Sequence, residues 1–163
     1  MIPDFKTYIG ESVWSDMHRR SNGIKVKKED SIDYLNFNEF YKYLYQMYWP
    51  TEYNDNYTFD NYTSYNNDIC IQIPIENPKG HITQPYIFTF KYKNGQDDID
   101  VIRISSRLID VYPDIQKVIG TNYHITDLYE IKPKSGKITN TDIVYLLDKL
   151  FNMVERPLFK KIA

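Results

Sequence analysis

Cysteine is nearly absent from this chain of 163 residues, which contains a single one, Cys70. One cysteine excludes an intramolecular disulfide framework and a zinc site built from several cysteines. No apolar run approaches the roughly 18 residues that a membrane span requires. Glycine is scarce, with 6 residues, and none forms the phosphate-binding pattern G-x-x-x-x-G-K. We therefore expect no membrane contact and no nucleotide cofactor.

An excess of either charge is also missing. The 20 Lys and Arg nearly balance the 22 Asp and Glu, which leaves a net charge of -2. This balance argues against a nucleic-acid binder that acts through bulk positive charge. The first residues lack the basic and apolar regions of a signal peptide, so we expect synthesis in a reducing cytoplasm.

Tyrosine is what the chain has in excess, with 16 residues, and aromatic residues make up 16% of the chain. A core of this size does not need so many phenols. Tyrosine combines a large apolar face with a polar tip and is enriched where one protein surface meets another. The composition therefore favours a protein-protein contact surface.

Two segments have the apolar spacing of amphipathic helices. Residues 36–49 are expected to begin at a cap on Asn36 or Asn38 and to end at Pro50. Residues 141–154 are expected to form the last helix, with its cap among residues 139–141.

Alternating apolar residues predict strands between these helices. Ile69 to Ile75 alternate, with Cys70 facing away from the isoleucines, and Pro74 favours a sheet edge or a late break. Residues 86–105 predict a hairpin whose turn lies at residues 93–96.

The remaining elements complete an α+β fold. Residues 111–119 predict a short helix, and residues 123–131 predict a further strand. The expected architecture is an antiparallel sheet covered on one face by helices. We divide the chain into an N-terminal arm with a short helix (1–30), a single α+β domain (31–157) and a C-terminal tail (158–163).

Residues 50–68 contain no aliphatic side chain, and no Lys or Arg occurs from Tyr43 to Pro78. We interpret residues 50–68 as a long surface loop, and loops of this length are frequently functional. Its aromatic residues supply contact area at a low cost in side-chain entropy. The candidate interface residues of this loop are Tyr53, Tyr57, Tyr62 and Tyr65.

The N-terminal arm is basic, with five Lys or Arg between residues 19 and 28. Such a tract can bind phosphates, but in a chain without net positive charge we favour contact with protein over nucleic acid. A basic arm and an acidic loop make a head-to-tail contact between copies favourable, and such contacts close into symmetric rings. The candidate interface residues of the arm are Trp14, Met17, Arg19, Arg20, Lys27 and Lys28.

No motif indicates catalysis or metal binding. The 3 histidines are scattered, and no G-x-S-x-G nucleophile elbow occurs. Asp97, Asp98 and Asp100 are near one another but lack the glycine and distal glutamate of a calcium loop, so we interpret them as a solvated acidic turn. Two carboxylates that are distant in sequence can meet in a folded protein, so an enzyme that uses such a pair remains an alternative. We predict no catalytic, metal or cofactor site and a protein that is not an enzyme.

Residues 5–30 contain the most distinctive string, which runs from Phe5 to Gly23 and continues with Lys27 to Asp30. It resembles the opening of short virion proteins of tailed gut bacteriophages, the crAss-like phages and their relatives, over about a sixth of the chain. The resemblance implies a non-enzymatic head-to-tail connector or tail ring subunit. Its partners would be copies of itself and other virion proteins, after synthesis in the bacterial cytoplasm.

An alternative function fits the same composition. A small regulatory or inhibitory protein that binds a host or phage protein would also be rich in tyrosine and acidic in one region.

Overall fold

A computed structural model describes residues 29–79, 84–93 and 97–162. Its helices are a 3-10 helix (Glu29–Tyr34), α1 (Phe37–Met47), α2 (Ser106–Val111), α3 (Ile115–Ile119) and α4 (Asn140–Met153). Its strands are β1 (Tyr48–Pro50), β2 (Asp60–Thr63), β3 (Ile69–Glu76), β4 (Tyr86–Tyr92), β5 (Ile99–Ile104), β6 (Tyr123–Ile125), β7 (Ile131–Pro133) and β8 (Phe159–Lys161). The predicted α+β class is confirmed.

The central sheet is antiparallel and has the strand order β2-β3-β4-β5. On its inner face, Ile71 of β3 lies opposite Phe90 of β4, which lies opposite Ile102 of β5. All three are fully buried, and Phe40 of α1 packs against Phe90 with 6.0 Å between ring centroids. Helices α1 and α4 contribute many of the other buried residues of this core, so helices cover one face as expected.

Helix α1 begins as predicted but ends early. The Asn36 side chain accepts from the Glu39 backbone N–H and the Glu39 side chain accepts from the Asn36 N–H, which completes a capping box. The prediction was wrong at the other end, since the chain leaves the helix after Met47 and forms β1. Tyr48 is buried there, and its hydroxyl donates to Asp148 of α4 at 2.6 Å. Long-range packing therefore ends the helix before Pro50.

The 86–105 hairpin is confirmed by the register of β4 and β5, in which Phe88 lies opposite Ile104. Its turn residues 94–96 lie outside the described residues. Pro74 was assigned to an edge or a late break, and the break is correct, because the register shifts between Pro74 and Glu76. The edge assignment was wrong for β3 as a whole, since β2 pairs with it from Ile69 to Gln72. Pro74 lies beyond this ladder and loses no bond to β2.

Of two predictions between residues 106 and 133, one was correct in part and one was wrong. The short helix expected within residues 111–119 is α3, which ends at Ile119 as predicted but begins only at Ile115, because Pro113 separates it from α2. One strand was expected at 123–131, but β6 and β7 form a small hairpin. Tyr129 at its turn has φ +63°, so an alternating pattern concealed a reversal of the chain.

Residues 158–162, which were predicted as a tail outside the domain, are part of the fold. Strand β8 pairs with β1 so that Tyr48 lies opposite Lys161. Leu158 and Phe159 are buried, and Phe159 meets Phe59 with 4.6 Å between ring centroids. Helix α4 begins at Asn140, one residue before the predicted start, and Thr139, which was among the predicted caps, forms a capping box with Asp142.

Candidate contact surface

A hairpin lies within the segment that was predicted to be a loop. The backbone N–H of Ser64 donates to the carbonyl of Asp68 at 2.8 Å, and the N–H of Asn67 donates to Ser64 at 2.9 Å. Asn67 has φ +64°, a conformation that asparagine tolerates better than most residues. This geometry is a three-residue loop with an αL residue. Its signal in the sequence was the Asn66-Asn67 pair, which the reading of residues 50–68 as a loop missed.

The hairpin exposes two of the four predicted tyrosines. Tyr65 at the turn is 92% exposed, and Tyr62 in β2 is 45% exposed. Tyr62 lies opposite the buried Cys70 on the outer face of the sheet. Desolvation, followed by the neighbouring Cys70 thiol, raises the pKa of the Tyr62 phenol. Cys70 thus faces away from Ile71, as the alternation predicted.

The other two predicted tyrosines are half-buried and pack against the core. The Arg156 guanidinium lies 5.1 Å from the Tyr53 ring centroid. Asn54 accepts from the Tyr57 N–H at 2.7 Å and donates to the carbonyls of Tyr57 and Leu158, both at 3.0 Å. The C-terminal chain therefore orders this segment and leaves Tyr53 and Tyr57 less area for a partner than Tyr62 and Tyr65 have.

Buried phenols anchor the start of β2 from the helix side. The hydroxyls of Tyr41 and Tyr45 both donate to the carbonyl of Phe59, at 2.6 and 3.0 Å. Desolvation is the largest cause that raises the pKa of both phenols. Because α1 holds the residue before β2, the exposed strand has a defined position on the domain. Both tyrosines lie within the helix predicted at 36–49, but the sequence did not indicate their shared acceptor.

The arm candidates Trp14, Met17, Arg19, Arg20, Lys27 and Lys28 lie outside the described residues.

Glu76 is a buried carboxylate that accepts several hydrogen bonds, and no sequence motif had indicated it. Glu76 is 4% exposed. Its Oε2 accepts from the Tyr112 hydroxyl at 2.6 Å and from the backbone N–H groups of Glu155 and Arg156 at 3.0 and 3.1 Å. The only signal was an acidic residue at the end of an isoleucine-rich strand. This carboxylate ties the end of β3 to the start of the C-terminal chain, so its role is structural.

The acidic triplet does not converge on one point. Asp100 lies 3.7 Å from the Lys91 ammonium and 3.8 Å from that of Lys93, whereas Asp97 accepts from the Phe37 N–H at 3.4 Å. Among the described residues no group of three His, Cys, Asp or Glu is arranged to hold a metal ion. In the same part of the chain, no helix has the length and apolar character needed to cross a membrane.

Comparison with models of protein families, with curated proteins and with solved structures finds no match for this chain.

Proposed function

We propose that this chain is a non-enzymatic structural subunit of a bacteriophage particle, a head-to-tail connector or tail ring subunit that assembles through protein-protein contacts. The observation that carries the assembly is the β2–β3 hairpin, which presents Tyr62 and Tyr65 on an exposed strand and turn. The setting within the virion rests on the resemblance of residues 5–30 to phage proteins.

The opposite charges of two segments support contact between copies of the chain. Residues 1–28 contain six Lys or Arg and three Asp or Glu, whereas residues 43–78 contain five Asp or Glu and no Lys or Arg. Opposite potentials on two parts of one chain steer one copy onto the next and set their register. Because the two parts differ, the contact is heterologous and closes into a ring when the rotation permits.

Light scattering coupled to size-exclusion chromatography tests the assembly, at low and at high ionic strength. We expect an oligomer at low salt that weakens at high salt, since exposed charges are screened. Deletion of residues 1–28 is expected to preserve the far-UV circular dichroism of the domain and to abolish the oligomer. A monomer under all of these conditions would contradict the proposal.

A mass-spectrometric inventory of purified phage particles tests the setting. Recovery at a copy number typical of a ring supports a virion subunit. Recovery only from the lysate of infected cells would instead favour the regulatory or inhibitory protein, which would use the same exposed tyrosines to occupy a foreign partner.

A further inference from the structure

Strand β2 has an open edge. Ser64 and Asp68 form a hydrogen-bonded pair at the turn, and hydrogen-bonded and non-hydrogen-bonded pairs alternate along an antiparallel ladder. Tyr62 therefore bonds to Cys70 of β3, whereas the backbone N–H and C=O groups of Asn61 and Thr63 point away from β3. No other strand within residues 29–79, 84–93 and 97–162 pairs with this side of β2.

Among the described residues, the open edge lacks several of the features that protect natural edge strands, namely lysine, proline, a bulge and a covering element. Strand β2 is short, with four residues, and Asp60 is its charged residue. All four residues of β2 are exposed, and its sequence Asp-Asn-Tyr-Thr contains neither lysine nor proline. Its register with β3 is regular from Asp60 to Thr63. The edge thus offers two unpaired backbone positions to an incoming strand.

The complementary strand is present in the same sequence. Residues 24–28, Ile-Lys-Val-Lys-Lys, alternate apolar and basic side chains and directly precede the 3-10 helix. Their charge is opposite to that of residues 43–78, which contain no Lys or Arg. Charge and alternation together point to this segment as the occupant of the edge.

The position of the 3-10 helix argues for an occupant from another copy. The 3-10 helix is fixed near the start of α4, where Asn140 donates to the carbonyls of Ile32 and Leu35 at 2.8 and 3.0 Å. Ile138, just before α4, bridges to Ile99 of β5, which is the opposite edge of the sheet from β2. Strands are spaced by about 4.8 Å, so the two edges are roughly 14 Å apart. The 3-10 helix, which follows the basic segment in sequence, therefore lies on the side of the sheet remote from β2.

We infer that residues 24–28 of one copy add as a strand to the open β2 edge of a second copy. This inference rests on the proposed function and specifies its contact. The favoured register places Lys25 and Lys27 on the outer face beside Asp60 and Tyr62. Ile24 and Val26 then extend the helix-covered face, because neighbouring side chains alternate between faces.

Amide hydrogen exchange of the full-length chain, read by NMR below and above the assembly concentration, tests the pairing. The amides of Asn61 and Thr63 are expected to exchange at least tenfold more slowly in the assembly. The amide of Tyr62 serves as an internal control, because β3 already protects it in the monomer. Thr63→Pro removes one outward N–H without breaking the ladder to β3, and it is expected to abolish assembly while the domain stays folded.

Charge reversal tests the register. Asp60→Lys is expected to weaken assembly about three- to tenfold, since an exposed pair contributes up to about fivefold and reversal adds repulsion. Lys25→Glu with Lys27→Glu should weaken it similarly, and combining all three changes should restore assembly. Asp55→Lys is the control, because it makes the same change in net charge as Asp60→Lys at a position outside β2. Combined with Lys25→Glu and Lys27→Glu, it should not restore assembly.

The outcomes separate the two proposals. An oligomer that leaves the Asn61 and Thr63 amides unprotected, or that tolerates Thr63→Pro, overturns strand addition but leaves the proposed function standing. Protection of both amides in a monomer at every concentration overturns the assignment to a second copy and indicates the chain's own arm, and the absence of an oligomer then contradicts the proposed function as well. A monomer without that protection overturns both proposals.

Discussion

Replacing Glu76 by glutamine tests the buried corner that ties β3 to the C-terminal chain. Three donors converge on Oε2 of this carboxylate: the Tyr112 hydroxyl and the backbone N–H groups of Glu155 and Arg156. Glutamine keeps the shape of the side chain but removes its charge. It also places an amide NH₂ where Oε1 accepts from the Tyr112 hydroxyl at 2.8 Å.

The expected loss in the free energy of unfolding follows from the hydrogen bonds that lose a charged acceptor. A hydrogen bond to a charged group contributes about 1.5–3 kcal/mol, and one between neutral groups about 0.5–1.5 kcal/mol. Three bonds that share one oxygen are not additive, so we expect Glu76→Gln to lower the free energy of unfolding by about 2 kcal/mol. In a domain of this size that loss corresponds to a decrease in Tm of about 4–8 °C.

Urea unfolding followed by circular dichroism measures this loss. Glu155→Gln is the matched control, because it makes the same change at the same corner on a side chain that is 70% exposed and lies 3.6 Å from Lys79. We expect the control to stay within about 0.5 kcal/mol of the parent protein.

A result for Glu76→Gln within 0.5 kcal/mol of the parent, like that expected of the control, would refute the assignment of Glu76 as a charged acceptor. Tyr112→Phe supplies an independent check, since it removes a donor to the same carboxylate. The variant that combines Glu76→Gln with Tyr112→Phe is expected to lose clearly less stability than the sum of the losses of the two single variants. Full additivity would contradict the shared network.

Three further predictions concern the tyrosines and one glycine. The free energy of unfolding should stay at its maximum below about pH 10 and decrease at higher pH, because folding raises the pKa of six tyrosine phenols. Denaturant midpoints that stay constant through pH 11 would contradict this. Tyr92→Phe should raise stability by about 0.5–1 kcal/mol, because the buried Tyr92 hydroxyl has no hydrogen-bond partner among the described residues; a loss of stability in thermal melts would reveal a partner. Gly120→Ala should cost about 1–3 kcal/mol, since Gly120 has φ +90° and an added Cβ would lie 3.3 Å from the Tyr145 hydroxyl; unchanged urea unfolding would show that the backbone relaxes.

Local signals predicted much of the fold. Asn36 and the range containing Thr139 were identified as helix starts because capping depends on side chains within three residues of the helix end. The 86–105 hairpin was predicted because alternation and turn residues lie within one short segment. These elements depend on neighbours in sequence, and so a single sequence contains the information.

The errors occurred where distant residues decide the outcome. Tyr48 continues the helical apolar pattern, yet it enters a strand because its partner is Lys161, near the other end of the chain. Residues 50–68 have no aliphatic pattern, yet β2 forms because β3 offers an unoccupied edge and two phenols of α1 bind the carbonyl of Phe59. Neither pairing leaves a periodic signal in the local sequence.

The sequence by itself determined the α+β class, the main helices, the central hairpin and the surplus of tyrosine between residues 53 and 65. Only the tertiary structure decided which of those tyrosines face solvent. Arg156 packs against Tyr53, and the carbonyl of Leu158 accepts from Asn54, which in turn binds the backbone of Tyr57. The β2–β3 hairpin instead exposes Tyr62 and Tyr65. The physical reason is that exposure depends on which distant segments come together, and composition does not encode that arrangement locally.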